Sequence, residues 1–373
     1  MCAIEAAGRG RRVTILEHNP QAGRKLRVSG GGKCNFTNLY VGAEHYVSAN
    51  PHFCKSALNR FAPGDFIELL DSHNIAYQER ADGQLFCRDG AGLIVEQLSV
   101  QCIDAGVDIR TNCRVIQVEK EERFIVSTSL GTFNADSLVI ATGGLSYPKL
   151  GATGFGHEIA RQFGVACTPL CMALVPFTWE KKDRESFSEL SGASLSVLLS
   201  CNGRVFKGDM LFTHKGLSGP AILQASLYWS PGDMLEIDLL PDLDISEILV
   251  KEQHSRAELK TILSHYLPKK VIHKWCEVHL LTRPVYQYNL RELQNIASIL
   301  KAWQIRPAGT EGLDTAEVTS GGVDTNEISS KTMEAKKVAG LFFIGEVLDV
   351  TGQLGGYNLQ WAWSSGHAAG QYV

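Results

Sequence analysis

The sequence predicts an α/β protein whose strand, turn and helix units stand toward its two ends, around an insert of short strands followed by helices. Three observations predict it. A short apolar strand ends on Glu17; a buried apolar run, Ser137 to Ala141, ends on Thr142, Gly143 and Gly144; and a third, Leu341 to Ile344, ends on Gly345 and Glu346. Ligands of open α/β sheets gather outside the carboxyl ends of the strands, where glycines let the main chain come close. Here segments remote in sequence repeat that pattern.

Taken in order, Met1 to Ala7 reads as a helix carrying Cys2, Ala3, Ala6 and Ala7, stopped by Gly8 and Gly10, and Val13 to Leu16 reads as a buried strand. In a dinucleotide-binding βαβ unit an acid stands about 20 residues after the G-x-G-x-x-G turn and accepts hydrogen bonds from the adenosine ribose. Glu17 has that place, yet only 16 residues precede it, so the turn and its strand would fall before Met1. The next stretch, GRKLRVSGGGKCNFTN from Gly23 to Asn38, sets Ser29, three glycines and Lys33 in one turn. Such a turn can aim backbone N–H groups at an anion and admit a flat ligand.

From residue 108 short β runs follow (VDIR, CRVIQVEKE, RFIVSTS). Val115, Gln117 and Glu119 alternate with Ile116 and Val118 as in a half-exposed antiparallel meander. Ser137 to Ala141 is continuous and apolar, as in a parallel strand, and after SYPKLGATGFG a helix is expected from His157 to Phe163. Residues 168 to 245 hold β-prone runs separated by Gly, Pro and Asp, which fits a small barrel or sandwich. Ser246 to about Ile305 has helical periodicity, including Ile248, Leu249, Leu259, Ile262 and Leu263. In the last stretch Gly355, Gly356 and Asn358 precede a helix rich in Ala, Trp and Gly. A helix N-terminus there suits the negative charge of a reduced flavin.

The boundaries expected from these shifts are 1–167 for the first part of the α/β domain, 168–318 for the insert, with its helical piece at about 246–305, and 319–373 for the second part. A chain of 373 residues with 44% hydrophobic content can bury a large core. It has no run of about 18 apolar residues and no signal-peptide layout, so a cytoplasmic, non-membrane protein is expected. The ten cysteines include no C-x-x-C pair, which favours free thiols over disulfides and leaves no metal site expected. A net charge of −4 argues against a surface coated with positive charge, although the segments KKDR at 181–184 and KKVIHK at 269–274 are short basic runs.

Four stretches, VTILEHNPQAGRKLRVSGGGKCNFTN, VIATGGLSYPKLGATGFG, LFTHKGLSGPAIL and GLFFIGEVLDVTGQLGGYNLQWAWSSG, resemble the BaiN/RdsA family of FAD-dependent oxidoreductases, which includes aminoacetone-oxidase-like members. The resemblance covers essentially the whole chain. It implies a two-part, Rossmann-like FAD-binding domain of the glutathione-reductase type, interrupted by a β-barrel and a helical subdomain. It also implies that family members begin with a strand and a glycine turn ahead of the helix at Met1, so this chain is expected to be truncated at its N-terminus, to bind FAD loosely as it stands, and to be an inactive fragment if the turn is missing. The cofactor-binding candidates are Glu17, Arg24, Lys25, Ser29, Gly30, Gly31, Gly32, Cys34 and Asn35 in the first stretch, Thr142, Gly143 and Gly144 in the second, and Gly345, Glu346, Gly355, Gly356 and Asn358 in the last. The expected reaction is hydride transfer through flavin N5 to a conjugated C=C bond of a small molecule, with NAD(P)H as donor. The alternatives are reduction of a uridine in ribosomal RNA and oxidase chemistry of the aminoacetone type. Candidates for the proton transfer are His214, Tyr147 and Tyr357.

Overall fold

The computed structural model describes residues 1–373. It divides into two compact units, one of Met1–Cys171 with Val318–Val373 and one of Met172–Glu317. No helix is long and apolar enough to cross a membrane.

In the first unit, helix α1 (Cys2–Gly8) ends in a turn through Gly10 and leads to strand β1 (Thr14–Leu16). Helix α2 (Arg24–Gly32) and helix α3 (Lys55–Arg60) follow. Strand β2 (Asp108–Arg110) lies parallel to β1, with Ile15 opposite Ile109. Strand β3 (Leu138–Ile140) precedes helix α4 (Phe155–Gln162), and strand β4 (Leu341–Phe343) precedes helix α5 (Tyr357–Gly370). β3 and β4 are also parallel, with Val139 opposite Phe342. The two pairs are separate two-stranded sheets, so β1 and β3 each keep one strandless edge.

Burial explains why the β4 run is uniformly apolar. Leu341, Phe342 and Phe343 are all buried, in a core shared with Phe124, Ile140, Ile159 and Trp361. Each such side chain contributes about 1.5–3 kcal/mol by leaving water. Helix α4 begins at Phe155, two residues earlier than the periodicity predicts. The reason is Gly156: a Cβ there would stand 2.1 Å from Thr142 Oγ1, so only glycine lets the first turn lie against the end of β3.

The meander is present as three antiparallel strands, Val115–Lys120, Phe124–Thr128 and Gly131–Ala135. Its alternation departs from expectation. A bulge between Val115 and Gln117 turns Ile116 outward to 66% exposure, while Val118 stays buried.

The second unit contains a seven-stranded sheet ordered Trp303–Ile305, Leu235–Asp238, Ser194–Cys201, Arg204–Phe212, Gly216–Ser218, Phe177–Thr178 and Gly309–Thr310. Its two end strands are consecutive in the chain. Seven strands laid flat would span about 29 Å, whereas the connection 306–308 reaches at most about 14 Å, so the sheet rolls toward closure. Helices Ile245–Lys251, Lys269–Val278 and Leu290–Lys301 share its core. The helical period stops at Lys301, short of Ile305. Trp303 and Ile305 are buried on either side of an exposed Gln304 and form an edge strand instead.

Candidate cofactor site

The strand ends of the first unit meet around Glu346. A helical turn, Gly345–Val347, follows β4 and aims the Glu346 carboxylate back at the segment after β3. It accepts hydrogen bonds from the Lys25 ammonium at 2.7 Å, the Thr319 backbone N–H at 2.9 Å and the Ser146 hydroxyl at 3.3 Å. Lys25 also donates to Ser146 Oγ at 2.8 Å. The Thr319 hydroxyl in turn accepts from the N–H groups of Leu145 and Ser146, at 2.7 and 3.2 Å. A Cβ on Gly144 would come within 2.6 Å of both Glu346 Oε1 and Thr319 Oγ1, so the glycine allows this knot to close. The result is an anion held by charge-assisted bonds beneath open backbone.

A second group forms at the end of β1. Glu17 Oε1 accepts from the Asn19 backbone N–H at 2.7 Å and from Asn19 Nδ2 at 3.0 Å, an Asx-like local turn. Arg24 donates to Asn19 Oδ1 at 2.7 Å. The Glu17 side chain remains 25% exposed, within reach of a ligand at the strand end.

Ser29, Gly30, Gly31 and Gly32 form a non-helical turn at the end of α2, as the run of glycines predicts. Helical geometry breaks at a kink at Ser29 (ψ 146°), and the three glycines that follow are left-handed, with φ of 57°, 65° and 83°. Ser29 caps the kink, its carbonyl accepting from the Cys34 N–H at 2.9 Å. Cys34 itself is fully buried beside Phe36 and Phe66, and burial pushes its thiol up to about 12. It is a core thiol, protonated at neutral pH, and its side chain does not reach a surface ligand. Asn35, with its amide oriented to satisfy both ends, donates to the Thr37 and Leu85 carbonyls and accepts from the Gly356 N–H. A Cβ on Gly356 would stand 2.3 Å from the Thr37 carbonyl oxygen, so this glycine seats the start of α5 on the Asn35–Asn38 strand. Gly355 has φ 122°. Asn358 closes the preceding turn by accepting from Gly352 N–H and donating to Gly352 O, both at 2.8 Å. These three set the direction of the α5 N-terminus.

The three proton-transfer candidates are distributed differently. Tyr147 stands next to the Glu346 knot, its ring 5.9 Å from Lys25 Nζ, in a left-handed conformation (φ 61°) that is strained for a non-glycine residue. Tyr357 is buried, stacked on the His45 ring at 4.6 Å, and burial raises its phenol. His214 is exposed at the tip of the hairpin joining Arg204–Phe212 to Gly216–Ser218, in the other unit. One titratable group near the knot had no sequence signal. His157 on α4 is 1% exposed with neither ring nitrogen hydrogen-bonded, although the Val347 backbone is near. Burial holds its imidazole below the ordinary value and Arg161 adds to this, while the Glu346 and Glu158 carboxylates pull the other way.

The family description "HI0933-like protein Rossmann domain" matches residues 1–372. The chain belongs to the HI0933-like family. It is 49% identical over 375 residues to the ribosomal RNA dihydrouridine synthase of Escherichia coli (strain K12), covering 99% of this chain and 94% of that protein. The protein of the same name from Haemophilus influenzae is 47% identical, with 98% and 94% covered. A 3-dehydro-bile acid delta(4,6)-reductase of Clostridium scindens is 30% identical, with 96% and 92% covered. This HI0933-like protein is accordingly a FAD-dependent oxidoreductase of the BaiN/RdsA family with a Rossmann-like fold.

The residues present fit that cofactor. Gly31 and Gly143 both have left-handed φ, and a Cβ on either would meet nothing within 4 Å. Bare main chain of this kind admits a flat ring or a phosphate where a side chain would stand in the way. Ser146, Thr319 and Asn19 are the polar residues that sequence reading missed. Thr319 carried one signal, its place just before Gly321–Gly322 where the chain returns to the Rossmann unit.

Proposed function

We propose that this HI0933-like protein reduces the C5=C6 bond of a uridine in ribosomal RNA to dihydrouridine. The observation that carries this reading is the near half identity, along the whole chain, to two ribosomal RNA dihydrouridine synthases. The more distant bile-acid reductase favours the same bond chemistry, addition of hydride and proton across a conjugated C=C, on a small molecule. When bound, FAD would supply the hydride, with NAD(P)H as the proposed source of its electrons.

The chain's own residues supply position and a proton. Glu17 at the end of β1 would accept from the adenosine ribose hydroxyls, and Arg24 and Lys25 at the start of α2 would supply positive charge for the anionic part of the cofactor. Ser29 and Gly30 to Gly32, with Asn35 behind them, and Thr142, Gly143 and Gly144 would offer backbone to its flat and phosphate portions. Gly345 and Glu346, and the α5 N-terminus shaped by Gly355, Gly356 and Asn358, would hold the other end, where free helix N–H groups would stabilise negative charge. Tyr147 is the candidate donor beside the Lys25–Glu346 knot. His214 is the candidate on the hairpin tip, and the stacked, buried Tyr357 serves packing.

The test is dihydrouridine formation in an unmodified ribosomal RNA transcript, with FAD and NAD(P)H, detected as the mass gain of one H2 per nucleotide. Tyr147→Phe or His214→Gln, whichever removes the donor, should slow this step by about 10²–10⁴ and leave NAD(P)H-driven flavin reduction intact. Reduction of a small enone with no product in RNA would refute the substrate. Peroxide release without carbon reduction would refute the reaction.

A further inference from the structure

Two hollows of the Rossmann unit lie away from the glycine turns. One of about 710 Å³ opens at the far end of α5 from Gly356, and Ser56, Arg60, Lys331, His367, Gln371 and Tyr372 line it. A helix of 14 residues is about 20 Å long, so this hollow is well removed from the α5 N-terminus. A second, of about 420 Å³, adjoins it through Lys331 and adds Asn50, Ser329, Ser330 and Lys336.

Three features give this surface its chemistry. First, no carboxylate lines either hollow. The acids nearby are held by partners of their own: Glu5 stands behind the first hollow, paired with its lining residues His367 and Gln371, while Glu327 pairs with Lys337 and Glu334 accepts from the Gly340 N–H. Second, Tyr372 is 39% exposed and flanked by two cations, Arg60 at 5.9 Å and Lys331 at 5.8 Å from its ring centre. Third, the cations are placed by structure. Arg60 is steadied by its bond to Ser56 Oγ at 2.7 Å, one turn earlier on α3, and Lys331 sits in a loop closed by the Met333 N–H to Ser329 carbonyl bond at 2.8 Å.

We propose that these joined hollows are a docking site for single-stranded RNA, with Arg60, Lys331 and Lys336 meeting backbone phosphates and Tyr372 stacking a base. The inference rests on ribosomal RNA being the substrate and adds where the strand is held outside the flavin site. An aromatic face beside cations, in a groove whose lining carries no carboxylate and whose one adjoining acid, Glu5, is paired, is the chemistry that binds single strands without reading sequence.

The experiment is filter binding of the full chain with FAD to an unmodified ribosomal RNA transcript over a range of salt. The pair Arg60→Gln with Lys331→Gln should lower the salt slope by about 1.4, or 0.7 for each single-strand phosphate left without its cation. Tyr372→Ala should weaken binding by about 5- to 100-fold, and Tyr372→Phe should restore it. The pair Lys181→Gln with Lys182→Gln, on the other unit, should leave the slope unchanged. NAD(P)H-driven flavin reduction should persist in every variant, which separates a docking defect from a folding defect. Wild-type slope and affinity in the Arg60 and Lys331 pair would overturn the docking site alone, as would an equal drop in the Lys181 and Lys182 pair. Absence of RNA binding by the unaltered protein would overturn both this site and the RNA reading.

Discussion

Removing either partner of the Lys25–Glu346 pair tests whether it holds the strand ends together. Lys25→Met deletes the ammonium with little loss of side-chain volume, and Glu346→Gln keeps the carboxylate's shape without its charge. The pair is 2.7 Å apart with side chains 38% and 18% exposed. Exposed pairs contribute about 0.2–1 kcal/mol and well-shielded charge-assisted bonds about 1.5–3 kcal/mol. The half-buried setting, with Lys25 open to solvent screening, puts the coupling at about 1 kcal/mol. Native-state hydrogen exchange at the Thr319 and Leu145 amides reads it locally, because Thr319 N–H donates to Glu346 and Leu145 N–H donates to Thr319 Oγ1. Each single variant should speed exchange there. The double variant should exchange about fivefold more slowly than the product of the two single effects, since it loses the pair only once. Double-variant exchange equal to that product would refute the coupling.

Gly144→Ala should destabilise the Rossmann unit by about 1–3 kcal/mol, because its Cβ would enter the space of Glu346 and Thr319; a thermal unfolding curve with unchanged midpoint would contradict this. Alkylation followed by peptide mass spectrometry at pH 8 should label exposed Cys171 first and spare Cys34, whose buried thiol is pushed up to about 12. Buried His157 has a folded pKa below its unfolded value, so the unfolded chain takes up the proton first as pH falls. Its share of stability is full above about pH 6.5 and is lost as pH drops toward the folded value. Urea midpoints should therefore fall from pH 7 to pH 5 in the wild type and less steeply in His157→Leu.

By itself the sequence determined the α/β character through continuous apolar runs for parallel strands with acids and glycines at their ends, and the family, with the flavin cofactor it implies, through the resemblance of four long stretches to known members. The segments carrying Glu17, Gly143–Gly144 and Gly345–Glu346 could be found from spacing alone. Periodicity along the chain records which residues share a face, and it fails where geometry shifts the register. The bulge that exposes Ile116 and the edge strand at Trp303–Ile305 are such places. Only the tertiary structure decided which partners meet and which groups lose water. Lys25 and Glu346 are 321 positions apart, and no local pattern links them or brings Thr319 beneath Leu145. Cys34 and Tyr357 are chemically competent residues in glycine-rich surroundings, and folding placed one in the core and the other against His45. The physical reason is that residue type states what a side chain can do, whereas its pKa and its access to a ligand depend on the long-range packing around it.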